Sequence, residues 1–146
     1  MTNEEVQEYM KTSQIFVATS DFNEGWGVVI NEAMGNACAV IASKAMGAVP
    51  YLIKDGINGY SYSNRNTNEL YEKIKYLLDN KNVCNEISKK AYETIENEWN
   101  GNEAAKRFVQ LSEYILKQND CKNCKCDDLY KDGPCSKANI IKNNSL

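Results

Sequence analysis

The stretch that decides the fold is residues 15–42, IFVATSDFNEGWGVVINEAMGNACAVIA. Ile15-Phe16-Val17-Ala18 is a short apolar run that gives way to the turn-forming Thr19-Ser20-Asp21-Phe22-Asn23, the pattern of a buried strand ending in a loop. Val28, Val29, Ala33 and Met34 then recur at helical spacing up to Gly35-Asn36. A second apolar run of strand length follows, Ala37-Cys38-Ala39-Val40-Ile41-Ala42. Strand, loop, helix and strand in this order make the unit from which parallel sheets are built.

Working outward, Asp55-Gly56-Ile57-Asn58-Gly59 reads as a turn and Tyr60-Ser61-Tyr62 as a third, more exposed strand. The remainder is helical. Leu70, Ile74, Leu77 and Leu78 form one amphipathic stripe, with Thr67 or Asn68 as its cap; Val83, Ile87, Ala91 and Ile95 form a second. Ala104, Phe108, Leu111, Ile115 and Leu116 form a third, separated from the second by Asn100-Gly101-Asn102. About three strands are few for a doubly wound sheet, which typically has five or six. The sequence therefore reads as the second half of such a domain, without the opening strands and their glycine-rich turn. The expected fold class is α/β: a partial Rossmann-like parallel sheet flanked by helices, with a helical C-terminal half. Residues 1–118 form this unit, and residues 119–146, where periodicity stops, read as an irregular tail containing cysteine.

With 146 residues, 42% apolar and 25% charged, the chain has the composition of one soluble domain. Its longest apolar run, residues 37–42, is far short of the ~20 residues of a membrane helix. A net charge of −3, from 17 basic and 20 acidic residues, leaves no footprint for nucleic acid or an anionic membrane surface. Residues 1–10 are acidic and polar with no secretory pattern, which makes the cytoplasm the expected compartment. Histidine is absent, so Ser-His-Asp and Cys-His catalysis and the usual zinc-hydrolase ligand sets are excluded. Carboxylates, amines, hydroxyls and backbone groups remain.

Of the six cysteines, Cys38 and Cys84 lie in apolar-periodic segments, while Cys121, Cys124, Cys126 and Cys135 crowd the tail. Four thiolates suffice for zinc, but Cys-x-Cys is not the paired-knuckle spacing and no second Cys-x2-Cys exists. Free thiols are the expectation, with Asp132-Gly133-Pro134-Cys135 as an ordered turn and no metal ligand assigned.

The chemistry-bearing segment runs from Asp21 to Met34. Glu24 falls in the loop before a helix and Glu32 about two turns into it, with Gly25 and Gly27 between them. The glycines let the backbone approach a ligand, and the N–H groups of Trp26, Gly27, Val28 and Val29 sit where a helix N-terminus stabilises a phosphate. Glu32 is placed to accept from a vicinal diol such as ribose, and Glu24 from sugar hydroxyls. A second reading of the same residues is structural, because a Glu near a helix start also complements the helix dipole. Lys44 reads as a solvated loop lysine.

Glu24-Gly25-Trp26-Gly27, then Glu32-Ala33-Met34, Val40-Ile41-Ala42-Ser43, Gly47-Ala48-Val49-Pro50 and Asp55-Gly56-Ile57-Asn58-Gly59, in that order, resemble the retaining glycosyltransferases of the GT-B fold, family 4. The resemblance extends from about Glu4 to Leu116. It implies the nucleotide-sugar-binding C-terminal domain. Glu24 is then the catalytic residue contacting the donor sugar. Gly25, Trp26, Gly27, Val28 and Val29 hold sugar hydroxyls and diphosphate, and Glu32 holds the ribose. Trp26 stands where the family often has Phe, Tyr51 where it often has an acidic residue, and Trp99 resembles the Trp common near the start of the family's penultimate helix, which implies a packing position. No cofactor is implied, the nucleotide-sugar donor being substrate. The family's cationic diphosphate clamp and its acceptor domain are not in this sequence, so a missing N-terminal acceptor domain or partner chain is expected, and the isolated chain is expected to be inactive. A truncated sheet exposes an edge, which makes a homodimer or modest stability the further expectation. Two rival readings are a non-catalytic Rossmann-like binding module and a small adaptor whose cysteine tail binds metal.

Overall fold

The computed structural model describes residues 1–118 together with 133 and 134. Three strands, β1 (Ile15–Ala18), β2 (Ala39–Ser43) and β3 (Tyr60–Tyr62), form one parallel sheet in the order β1-β2-β3. Ile15 pairs with Ala39 and Val17 with Ile41; Ile41 in turn pairs with Tyr60 and Ser43 with Tyr62. The helices are α1 (Asn3–Thr12), α2 (Val29–Gly35), the single turn α3 (Val49–Leu52), α4 (Thr67–Asp79), α5 (Lys81–Asn97) and α6 (Gly101–Gln118).

β2 is buried along its whole length, and its side chains alternate between two cores as the pleat requires. Val40 and Ala42 pack with Ile30, Ala33 and Met34 of α2, with Met46, Val49 and Leu52, and with Ala91 of α5. Ala39 and Ile41 face the other side, against Tyr62, Leu77 of α4, and Cys84 and Ile87 of α5. Each fully buried Val, Ile, Leu or Met among them contributes about 1.5–3 kcal/mol. Helix α5 thus closes both cores, and the α/β architecture of a half-sheet covered on two faces is as expected from the sequence.

Several local expectations differ. The second strand begins at Ala39 rather than Ala37, because Ala37 adopts a left-handed conformation (φ 57°) that closes α2. Cys38 N–H donates to Ala33 O at 3.0 Å and Ala37 N–H to Met34 O at 3.0 Å, the paired bonds of a Schellman cap. The third strand is not exposed: Tyr62 is buried against Leu77 of α4, and Ser61 is buried with its hydroxyl on Asp55. The cap of α4 is Asn66, not the expected Thr67 or Asn68; its side chain accepts from Glu69 N–H at 3.1 Å. The stripe of α6 is amphipathic but not buried: Phe108, Ile115 and Leu116 are each more than half exposed. Two helices were not read from the sequence. Helix α1 is announced by a capping box, Thr2 with Glu5, and joins the core through Met10.

The turn after α3 is held by a buried amide. Asn58 is 1% exposed; its Oδ1 accepts from Lys54 N–H at 2.7 Å, while its Nδ2 donates to Leu52 O and Thr94 Oγ1, both at 2.9 Å. It ties the turn to α5. Asp55 accepts from the backbone N–H of Ser61 and, at 3.0 Å, from its hydroxyl, and Lys73 lies 3.5 Å from the Asp55 carboxylate.

Candidate donor-binding site

Because all three strands are parallel, the loops leaving their C-terminal ends, residues 19–28, 44–48 and 63–66, gather at one edge of the sheet. That edge is where open α/β sheets bind ligands. A depression of about 480 Å³ lined by Ser13, Asn36, Asn85 and Tyr92 lies at the opposite ends of β1 and β2.

The first loop starts with a local turn in which Asp21 Oδ1 accepts from Asn23 N–H at 2.9 Å and Asp21 O from Glu24 N–H at 3.1 Å. Gly27 then takes a φ of +83°, which only glycine adopts without strain, and a Cβ there would meet Met46 Cε at 2.6 Å. The second loop is pressed against the first. Ala48 N–H donates to Trp26 O at 2.8 Å, and a Cβ on Gly47 would fall 2.0 Å from Gly25 O.

This folding leaves donors unused. The N–H groups of Trp26, Gly27, Val28 and Val29 find no acceptor among the described residues. Glu24 is exposed and Glu32 half-buried, and neither carboxylate has an ion pair or side-chain hydrogen bond among the described residues. The loop therefore carries a run of free donors flanked by two free carboxylates, which is the arrangement anticipated for residues 24–32.

Two details correct the sequence reading. Glu32 stands in the first turn of α2, not two turns in, because the glycine-bearing loop delays the helix to Val29. Val28 turns outward, 63% exposed, instead of joining the apolar face of α2. Helix α2 itself has only seven residues. Lys44 is half-buried rather than free in solvent. Burial pushes the Glu69 carboxyl up, but the Ser63 N–H bond at 2.8 Å and the charges of Lys44 and Lys73 outweigh it and hold the group below the ordinary Glu range.

Sequence reasoning missed what surrounds Trp26. Its ring lies 5.4 Å from that of Tyr51 and 5.8 Å from that of Trp99, and the latter two are 6.2 Å apart. Its Nε1–H donates to Asn31 Oδ1 at 2.9 Å. Trp99 was legible as a packing residue, but its partner was not. Among the described residues no group of three or more Cys, Asp or Glu side chains is placed to hold a metal ion, and Cys121, Cys124, Cys126 and Cys135 lie outside the described residues. Burial raises the pKa of both Cys38 and Cys84.

Residues 1–94 match the sequence model of the glycosyl transferases group 1. The chain belongs to that family. Trehalose synthase of Thermococcus litoralis is 30% identical over 107 residues, which are 73% of this chain and 25% of the relative. The chain thus spans about a quarter of the length of that curated relative. Among solved structures, the C-terminal domain of the group 1 glycosyl transferase LpcC from Francisella tularensis shares 30% identity with a TM-score of 0.60, over 65% of this chain and 48% of that one. HepE of Anabaena in complex with UDP-glucose shares 25% identity with a TM-score of 0.53, over 77% of this chain and 29% of that one. The family and its C-terminal-domain fold are those the Glu24-to-Glu32 motif implied. No helix among the described residues is long and apolar enough to cross a membrane.

Proposed function

We propose that this chain is the donor-binding part of a longer retaining glycosyltransferase and that residues 24–32 hold a nucleoside-diphosphate sugar. The observation that carries this reading is that, among the described residues, the N–H groups of Trp26, Gly27, Val28 and Val29 have no acceptor and the carboxylates on either side of them no partner. A diphosphate satisfies the donors, while Glu32 accepts from the ribose diol and Glu24 from hydroxyls of the transferred sugar. In a retaining transfer the sugar passes through an oxocarbenium-like transition state beside a departing diphosphate. Donors fixed in place before the bond breaks stabilise that leaving group without reorganising. Gly25 leaves the approach open, since a Cβ there would meet nothing within 4 Å. The cationic clamp and the acceptor groups come, in this reading, from a further domain or chain.

Calorimetric titration with UDP, GDP and their sugars tests the proposal. Binding of one nucleotide is expected, weakened roughly 10- to 100-fold in Glu32→Ala by loss of a charge-assisted hydrogen bond. Absence of binding by every nucleotide at millimolar concentration refutes it.

A further inference from the structure

In the loop that carries the candidate site, Phe22 and Val28 are 71% and 63% exposed, while Trp26, 37% exposed, sets one side of its ring against Tyr51 and Trp99. The three aromatic centroids form a nearly equilateral triangle, so Tyr51 and Trp99 lie on the same side of Trp26 and cradle it. The bond from Trp26 Nε1 to Asn31 Oδ1 fixes the rotation of the indole. Each partner is itself held. Tyr51 belongs to α3, whose preceding residue Ala48 bonds Trp26 O. Trp99 N–H donates to Thr94 O at 3.1 Å, and the Thr94 hydroxyl accepts from the buried Asn58.

We propose that Tyr51 and Trp99 are positioning residues for the donor loop: acting through the Trp26 ring, they set the backbone of residues 24–29 so that its free N–H groups and the Glu24 carboxylate face the donor together. The assignment rests on the donor-site reading above. It gives a physical role to the ring contact between Trp26 and Tyr51. Neither Tyr51 nor Trp99 needs to touch the donor.

The test uses the full chain and the variants Tyr51→Leu, Tyr51→Phe, Trp99→Leu and Trp99→Phe. Two protons report the loop independently of any ligand: the indole N–H of Trp26 and the amide N–H of Ala48. Their hydrogen exchange, followed by NMR, is expected to speed up roughly tenfold in both Leu variants, as befits loss of an aromatic pair, with the β2 amides of Val40 and Ala42 unchanged. Affinity for UDP or GDP, whichever the wild type binds, is expected to fall by about the same factor. Both quantities return to within about twofold of wild type in the Phe variants, which a role in global stability alone does not predict. Unchanged loop exchange and nucleotide affinity in Tyr51→Leu and Trp99→Leu overturn the positioning role. A wild-type chain that binds no nucleotide is seen before any variant is compared, and overturns the donor-site reading on which the role rests.

Discussion

The contact between the two glycine-bearing loops is testable by a single methyl group. In Gly47→Ala the new Cβ would lie 2.0 Å from Gly25 O, 3.1 Å from Gly25 C and 3.5 Å from Trp26 Cα, all backbone atoms that no side-chain rotation moves. An ordinary carbon–oxygen contact needs about 3.3 Å, so the loops must separate by more than an ångström. That displacement breaks the 2.8 Å bond from Ala48 N–H to Trp26 O. Losing the bond costs about 1 kcal/mol, and accommodating the methyl a further 1–3 kcal/mol, for a total of roughly 2–4 kcal/mol. With a urea m-value of about 2 kcal/mol/M, the midpoint should fall by about 1–2 M. Gly25→Ala is the control. Its Cβ meets nothing within 4 Å, so its stability should stay within about 0.5 kcal/mol of wild type. Under the proposed function that same methyl stands where the donor approaches, and Gly25→Ala should lose nucleotide affinity while keeping its fold. Equal urea midpoints for Gly47→Ala and Gly25→Ala would refute the reasoning.

Three further outcomes follow from the fold. Asn58→Ala strands Lys54 N–H and Leu52 O and leaves the Thr94 hydroxyl only its bond to Lys90 O, and should destabilise the chain by about 3 kcal/mol in urea titration, with less than about 1 kcal/mol arguing against the buried staple. Ala37→Gly relieves a left-handed alanine and should stabilise by about 1 kcal/mol; a loss of stability would mean that Ala37 is not in that conformation. The Glu69 carboxyl titrates below its ordinary value, so the stability it confers is complete above the ordinary Glu value of 4.5 and disappears as pH falls through the lowered folded-state value. Glu69→Gln should accordingly lose stability at neutral pH and show a flatter acid limb, read from urea midpoints across the acid range; parallel acid limbs for the two proteins would contradict this.

The parts of the fold legible in the sequence were those set by local apolar pattern. β1, β2 and the faces of α4 and α5 follow from such runs and periods: Ile41, Leu77, Ile87 and Ala91 are buried as read, whereas β1 is half-buried over residues 15–17 and Leu78 of the α4 stripe is 60% exposed. What failed was decided by single backbone torsions or by tertiary partners. Ala37 in a left-handed conformation moved a strand boundary, and nothing about alanine advertises that. The positive φ of Gly27 delayed α2 and brought Glu32 nearer the loop than counting residues suggested. Helix α6 has an apolar stripe as regular as that of α5, yet periodicity carries no information on whether a partner exists, and here Phe108 and Leu116 face outward. In the candidate site the motif residues 24–32 were legible because glycines and carboxylates announce chemistry. The aromatic cradle was not, because Trp26, Tyr51 and Trp99 meet only once α3 and the end of α5 are packed.

That cradle has an optical consequence. The sequence contains two tryptophans, Trp26 and Trp99, and both are in it, 5.8 Å apart. Every photon of indole emission from this chain therefore originates at one corner, where the loop after β1 meets the end of α5. Fluorescence follows that corner alone, while far-ultraviolet circular dichroism follows the helices as a whole. Denaturation curves recorded by the two methods separate if the corner opens before the sheet and superimpose if it does not. The molecule thus carries an unlabelled gauge of whether its loop is seated.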